Sequence, residues 1–289
     1  MWKQVIFFFV IKSASGSLDD FKMPQYSTAL TQAVTDIVFN FYMNFSTTVY
    51  FFQGTESEES SLKVQETLNE VLYNVNGKIV VRLDEFEMIQ KSKRKRQSCL
   101  LFLDTIESFM IFVDKLNPDS FEYQGYYTIA ISNYHDEIYE MMMKIFQILW
   151  TQNIVNVNIL WMPPENNYEV LMWTYWPYSS SYCGETVPLK HDHYRNGEWI
   201  RRIDVFPNKM INLYGCVLHA ATFINPPFMI IKDLGDGRNS VDGIDGIMLR
   251  VLAQKMNFNI ELHVTDELWG EIYDNGTATG DIISHDVNF

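Results

Sequence analysis

The sequence predicts an α/β protein: a three-layer unit built on a mainly parallel sheet, followed by a second, smaller α/β module. Three observations carry this. Apolar runs such as CLLFLD (99–104) and NIVNVNILWM (153–162) are too continuous for strands with one wet face; strands buried on both faces read this way. These runs alternate with amphipathic stretches at helical spacing, the pattern of strand–helix–strand units. From about residue 176 to 207 the composition turns polar and turn-rich, and a fresh strand pattern follows. The 289 residues suffice for two domains of ordinary size.

Taken in order, ALTQAVTDIVFNFYMNFST (28–46) spaces its apolar residues as a helix does, and TTVYFF (47–52) reads as a strand. SLKVQETLNEVLYNV (61–75) is an amphipathic helix, and KIVVRL (78–83) a strand behind Gly77. KSKRKR (91–96) is expected to be a solvated loop. CLLFLD is a buried strand, and Asp104 or Thr105 caps the helix TIESFMIFVDKL after it. GYYTIAIS (125–132) is a strand. HDEIYEMMMKIFQILW (135–150) is a helix whose early acidic residues suit the macrodipole. Strands over 153–162 and 168–178 complete the first unit, and 176–207 is expected to be a connecting segment. The second module opens near Phe206-Pro207. It reads as strand 213–224, a turn at Asn225-Pro226-Pro227-Phe228, an extended MIIK, and a loop 233–243. A helix capped by Asp245 runs to about Met256, then comes strand 258–265 and a final helix and strand over 278–289.

The net charge of −14 argues against nucleic acid or an anionic membrane surface as the main partner, since both reward positive charge. The opening MWKQVIFFFVIKSASGS has a basic n-region, a short apolar run and small residues at a cleavage position, so residues 1–15 are expected to be a signal peptide. A buried first strand is the other reading. No later stretch reaches the roughly 18 apolar residues of a membrane span. Of three cysteines, Cys99 sits in a buried-type strand, while Cys183 and Cys216 flank a polar loop. Joined in a secreted protein, these two would close a loop of about thirty residues, worth about 3–4 kcal/mol. Asn44-Phe45-Ser46 and Asn275-Gly276-Thr277 are glycosylation sequons of the same compartment.

The search for chemistry is mostly one of exclusion. Gly235-Asp236-Gly237 lacks the third glycine of a dinucleotide fingerprint, and its neighbouring aspartates would repel phosphate. Those aspartates fail the calcium-loop spacing, because the twelfth position falls on Ile244 or Ile247. Cys183, His191 and His193 match no common zinc spacing. There is no Gly-x-Ser-x-Gly elbow and no His-Glu-x-x-His. Nothing argues for an enzyme, a cofactor or a resident metal.

The last third points elsewhere. LYGCVLHAATFINPPFMII, then GIDGIMLRVLAQKMNFNIEL, then NGTATGDIISHDVNF resembles the first ligand-binding segment of ionotropic glutamate receptors, and more narrowly the divergent insect ionotropic receptors, which are chemosensory. The Pro-Pro-Phe turn, the Gly243-x-Asp245 helix start and the Asn257-Phe258 strand entry carry the likeness. GYYTIAIS, TYWPYSSSYCGE and FPNKMINLYGC are similar to the N-terminal region of the same receptors.

The resemblance implies an extracellular α/β domain over 16–205, and over 206–289 the first segment of one lobe of an incomplete periplasmic-binding-protein-like clamshell. It puts Phe228 beside a small-molecule ligand of unknown identity, and makes other receptor subunits the partners in a hetero-oligomer. The expected role is the ligand-sensing portion of a ligand-gated cation channel, with the membrane reached only through a part this chain lacks. The family's carboxylate-binding arginine would fall just after Phe289. The expected location is the extracellular side of the cell membrane as part of the full receptor, with this chain alone secreted or held in the secretory pathway. A secreted solute-binding or decoy protein of the clamshell type is the alternative.

Overall fold

The structure, a computed structural model, describes residues 28–265 apart from 56, 57, 93, 132–136, 164, 165, 167 and 234–238. The expected signal peptide, the sequon at Asn275 and the elements over 278–289 lie outside the described residues. Thr28 starts the fold: its hydroxyl accepts the Thr31 amide at 3.2 Å and caps α1 (Ala29–Ile37). The helix runs on through a π-helical turn (Val38–Tyr42) into the short α2 (Met43–Phe45). Leu30, Ala33, Val34 and Ile37 form its buried stripe. Tyr42 fixes this helix to the sheet. Its phenol donates to the Cys99 carbonyl at 3.1 Å and shares a hydrogen bond with the Thr128 hydroxyl at 2.8 Å.

The strands and helices of the first unit then alternate. They are β1 (Thr48–Gly54), α3 (Glu58–Val75), β2 (Val80–Glu85), β3 (Arg96–Leu103), α4 (Ile106–Val113), β4 (Phe121–Ile131), α5 (Ile138–Thr151) and β5 (Val157–Trp161). β6 (Glu169–Thr174), β7 (Leu189–Arg195) and the two-residue β8 (Glu198–Trp199) complete one eight-stranded sheet, ordered β2-β1-β3-β4-β5-β6-β7-β8. The first five strands are mutually parallel; β6, β7 and β8 add antiparallel at one edge.

Side-chain alternation builds the three layers. In β3, Cys99, Leu101 and Leu103 face the core that holds α4 and α5. Leu100 and Phe102 face the opposite core, with α1 and α3. Burying each such side chain is worth about 1.5–3 kcal/mol, so a strand loaded on both faces commits the sheet to two helical covers. Cys99 is buried and free. Thr105, not Asp104, caps α4, with Ser108 completing a reciprocal capping box.

Two expectations are corrected here. Residues 176–207 are not a mere connection: β7 and β8 lie within them, and their polar composition reflects a place at the sheet edge, where backbone pairing holds a strand without an apolar face. The KSKRKR run is not wholly solvated either. Arg96 is only 5% exposed and opens β3. Its guanidinium lies 4.8 Å from the centre of the Phe121 ring, 5.6 Å from Tyr50 and 5.8 Å from Phe52, and Nη2 donates to the Gln90 carbonyl at 2.8 Å. A register shift between Arg96 and Ser98 turns the side chain inward.

Residues 200–216 form a strap from β8 to the second unit, tied at every few residues. His191 Nε2 meets the Asp204 carbonyl at 2.8 Å, and Asn158 Nδ2 donates to the Val205 carbonyl at 2.6 Å. Phe206 packs among Phe41, Tyr42 and Tyr126. Lys209 Nζ is buried and donates to the Val155 carbonyl at 2.8 Å and the Thr174 hydroxyl at 2.7 Å. Cys216 is disulfide-bonded to Cys183.

The second unit has two small pairings. β9 (Val217–Thr222) runs parallel to β12 (Asn259–Val264), and β10 (Ile230–Asp233) pairs antiparallel with β11 (Asn239–Asp242). Between β11 and β12 lies α6 (Gly243–Met256). The expected loop 233–243 therefore contains part of a hairpin. The cap is Asp242, whose Oδ1 accepts the Gly243 amide at 2.9 Å, while Asp245 sits in the first turn. Ile244, Ile247, Met248, Val251 and Leu252 on α6 are each 44–60% exposed, so its apolar stripe is uncovered among the described residues.

Candidate functional site

Three places could serve a ligand, and the fold ranks them. In open α/β sheets the usual crevice lies beyond the carboxyl ends of the strands, where the strand order reverses. Here that point is between β1 and β3. It is closed: the Phe86 ring lies against Gly54 so tightly that a Cβ there would meet it at 2.0 Å. The Phe86 side chain, packed on Phe112, fills the position.

The second place is the turn named from the sequence. A cis peptide joins Pro226 to Pro227, and the Phe228 amide donates to the Asn225 carbonyl at 2.8 Å. The turn sits on the start of α6. The Ile244 amide donates to the Pro227 carbonyl at 3.2 Å and the Asp245 amide to the Phe228 carbonyl at 3.0 Å. Backbone thus satisfies amides that an isolated helix end would leave orphaned. Gly243 makes the approach feasible. Its φ is +83°, and a Cβ would stand 2.4 Å from the Phe228 oxygen. Asp242 is held by Lys232 Nζ at 2.6 Å as well as by the Gly243 amide, and these two donors keep its carboxyl below the ordinary aspartate range. The Phe228 ring is 48% exposed. It is positioned by its backbone and left free to meet something flat.

The third place is a cleft of about 720 Å³ at the amino edge of the sheet, where the end of β6, the start of β7 and the strap converge. Thr174 and Trp176 come from β6 and its continuation, Lys190 and His191 from β7, Arg201 and Asp204 from the strap. Arg201 is held by its backbone amide on Asp192 Oδ1 at 3.0 Å and by Nη1 on the His191 carbonyl at 3.0 Å. Burial pushes the His191 pKa down, which favours the neutral ring donating to the Asp204 carbonyl. Under the floor, desolvation lowers the Lys209 pKa to about 7.

The other residues singled out from the sequence disperse. Asn44 is exposed at the end of the first helix, its Nδ2 on the Asn40 carbonyl. His193 does not join His191: its Nε2 lies 3.7 Å from Glu169. Sequence reasoning missed the cleft because its walls come from three separated segments with no local spacing. Lys190 adjoins the His-Asp-His stretch, whose residue types suggest a metal instead, and Arg201 lies eight residues beyond it.

Among the described residues no helix is long and apolar enough to cross a membrane. No curated protein matches the chain. Residues 20–212 match the family described as "Putative ionotropic receptor, ligand binding domain". The match takes in the eight-stranded unit and most of the strap; β9 to β12, where the resemblance expects the ligand lobe, lie beyond it. The chain belongs to this family and is a ligand-binding portion of an ionotropic receptor.

Proposed function

We propose that the chain is the extracellular, ligand-sensing portion of a chemosensory ligand-gated cation channel, working with other receptor subunits in a hetero-oligomer. The observation that carries this reading is the family match over two-thirds of the chain. The Pro-Pro-Phe turn on α6 supports it: a half-exposed aromatic on a backbone-fixed turn can pack one face of a small ligand and exclude water. On this reading residues 206–289 supply part of the ligand lobe, Phe228 touches the ligand, and Asn44 and Asn275 carry glycans. Catalysis has no part in it. The test is a dose–response curve of ligand-evoked cation current in cells expressing the receptor that carries this chain. Phe228→Ala should weaken the response about tenfold or more and Phe228→Tyr should largely restore it. Identical curves for all three would overturn the assignment of Phe228.

A further inference from the structure

We infer that the free edge of β2 is a docking surface for a second copy of this chain. The two β2 strands pair antiparallel about Leu83, with Arg82 of each opposite Asp84 of its mate. The inference uses neither Phe228 nor the cleft, and it stands if the ligand assignment fails.

The two ends of the eight-stranded sheet differ. β8 has two residues, too short to template a partner strand. β2 has six, VVRLDE, and pairs with β1 from Val80 to Glu85 without a bulge. It contains no proline, so every amide can donate. Among the described residues no strand lies beyond it. Val80 is 55% and Leu83 45% exposed. A regular edge with exposed apolar side chains is a surface that takes another strand.

The main chain restricts the register. The Val80 amide donates to the Thr47 carbonyl at 3.0 Å, inward to β1. Main-chain groups alternate sides along a strand, so Arg82 and Asp84 also point theirs at β1, while Val81, Leu83 and Glu85 point theirs outward. Two copies of one edge pair antiparallel about a two-fold axis. An axis at Arg82 sets two guanidiniums face to face, and one at Asp84 sets two carboxylates so; like charges directly opposite are destabilising. An axis at Val81 or Glu85 leaves half of the strand or more unpaired. With the axis at Leu83, the two Leu83 residues exchange hydrogen bonds, and Val81 does so with Glu85 of the mate. Arg82 then stands opposite Asp84 twice, on the closely spaced rungs without hydrogen bonds.

The charges are available for this. Among the described residues neither Arg82 nor Asp84 has an ion-pair partner. Arg82 is exposed, its guanidinium 5.8 Å from the centre of the Tyr50 ring on β1. Charged residues on an edge usually discourage pairing. Here the Arg-x-Asp spacing makes them selective, because the edge admits its own copy in one register. A six-residue edge is small beside the roughly 1,600 Å² of a standard interface, so free chains pair weakly. Two copies held in one receptor meet at high effective concentration, where a small interface suffices.

The test is oxidative cross-linking of the full chain at near-millimolar concentration; its free Cys99 is buried. Leu83→Cys puts two thiols on the axis, where the Cα atoms stand about 5.5 Å apart, within disulfide reach. Val80→Cys, at the more exposed position, lies about 20 Å from its mate in this register. Leu83→Cys is expected to form a covalent dimer at least tenfold faster than Val80→Cys. Adding Arg82→Asp to Leu83→Cys should remove that advantage. Adding Asp84→Arg as well should restore it, since the two pairs are then reversed rather than lost. Thermal melts establish that each variant is folded. No covalent dimer, equal rates for Leu83→Cys and Val80→Cys, cross-linking untouched by Arg82→Asp, or no rescue by the double exchange would overturn the inference.

Discussion

The carbonyl of Phe228 accepts the backbone amide of Asp245 at 3.0 Å, so the turn that presents the aromatic ring is part of the N-terminal cap of α6. The ring's place is set by main chain rather than by packing of the ring itself, which is nearly half exposed. Side-chain changes at 228 should therefore alter what the ring touches without moving the turn.

Gly243 is the weak point of that arrangement. Gly243→Ala puts a Cβ at 2.4 Å from the Phe228 oxygen and a side chain at φ +83°, at a cost on the order of 2–3 kcal/mol. Gly197→Ala, at φ +85° with open space around it, should cost only about 1–2 kcal/mol. Hydrogen exchange at the Ile244 and Asp245 amides reads the difference: both should lose protection in Gly243→Ala and keep it in Gly197→Ala.

The Cys183–Cys216 disulfide closes a 33-residue separation and fastens the strap to the sheet edge. Replacing both cysteines by serine should lower stability by about 3–4 kcal/mol in urea unfolding. A non-reduced digest should show the two peptides joined. Free thiols at both positions would contradict the pairing.

Lys209 makes stability depend on pH. Its folded pKa of about 7 lies below the ordinary 10.5 because burial penalises the ammonium. Between those values the unfolded chain keeps a proton the folded chain has released, so stability rises with pH across the window, by at most about 1.4 kcal/mol per unit. From pH 7.5 to 9 the native chain should gain about 1–2 kcal/mol relative to Lys209→Met. Tyr42, Tyr127 and Tyr175 act in the opposite sense. Burial raises their folded pKa values, so stability is lost above about pH 10 as the unfolded chain ionises first. Burial raises the Cys99 thiol as well, so it too costs stability from about pH 9 upward, and the comparison with Lys209→Met is what isolates the lysine.

Arg96 tests whether a buried cation helps or merely fits. Among the described residues its Nε and Nη1 have no protein acceptor, so the three rings and the Gln90 carbonyl must offset its desolvation. Arg96→Met fills the aromatic pocket without a charge and should be neutral or stabilising by about 1 kcal/mol. Arg96→Ala leaves a void and should cost about 2–4 kcal/mol. Equal losses in both, measured by urea unfolding, would show that the guanidinium itself stabilises the fold.

These cases show what could be read in advance. Strands such as β3 and β4 declared themselves because two-sided burial leaves an apolar run. The helices did so because their apolar stripes recur every three or four residues, whether covered as in α1 or uncovered as in α6. The edge strands β7 and β8 were opaque, since LKHDHYR pairs through backbone and needs no apolar signature. Arg96 hid in a basic run because only a register shift in β3 turns it inward. The cap was misplaced by three residues, although Asp242-Gly243 carried the signal: an aspartate before a glycine at positive φ. Phe228 was legible as a turn residue, and its exposure was not. The cleft was invisible because Trp176, Lys190 and Arg201 share no sequence neighbourhood.

The central claim is that this chain determines what the receptor senses. The most direct measurement exchanges it, residues 28–265, between two receptors of the family with different ligand profiles and records cation currents from both chimaeras with their partner subunits. The account predicts that each ligand profile travels with the exchanged segment. A profile that stays with the unexchanged remainder would contradict it.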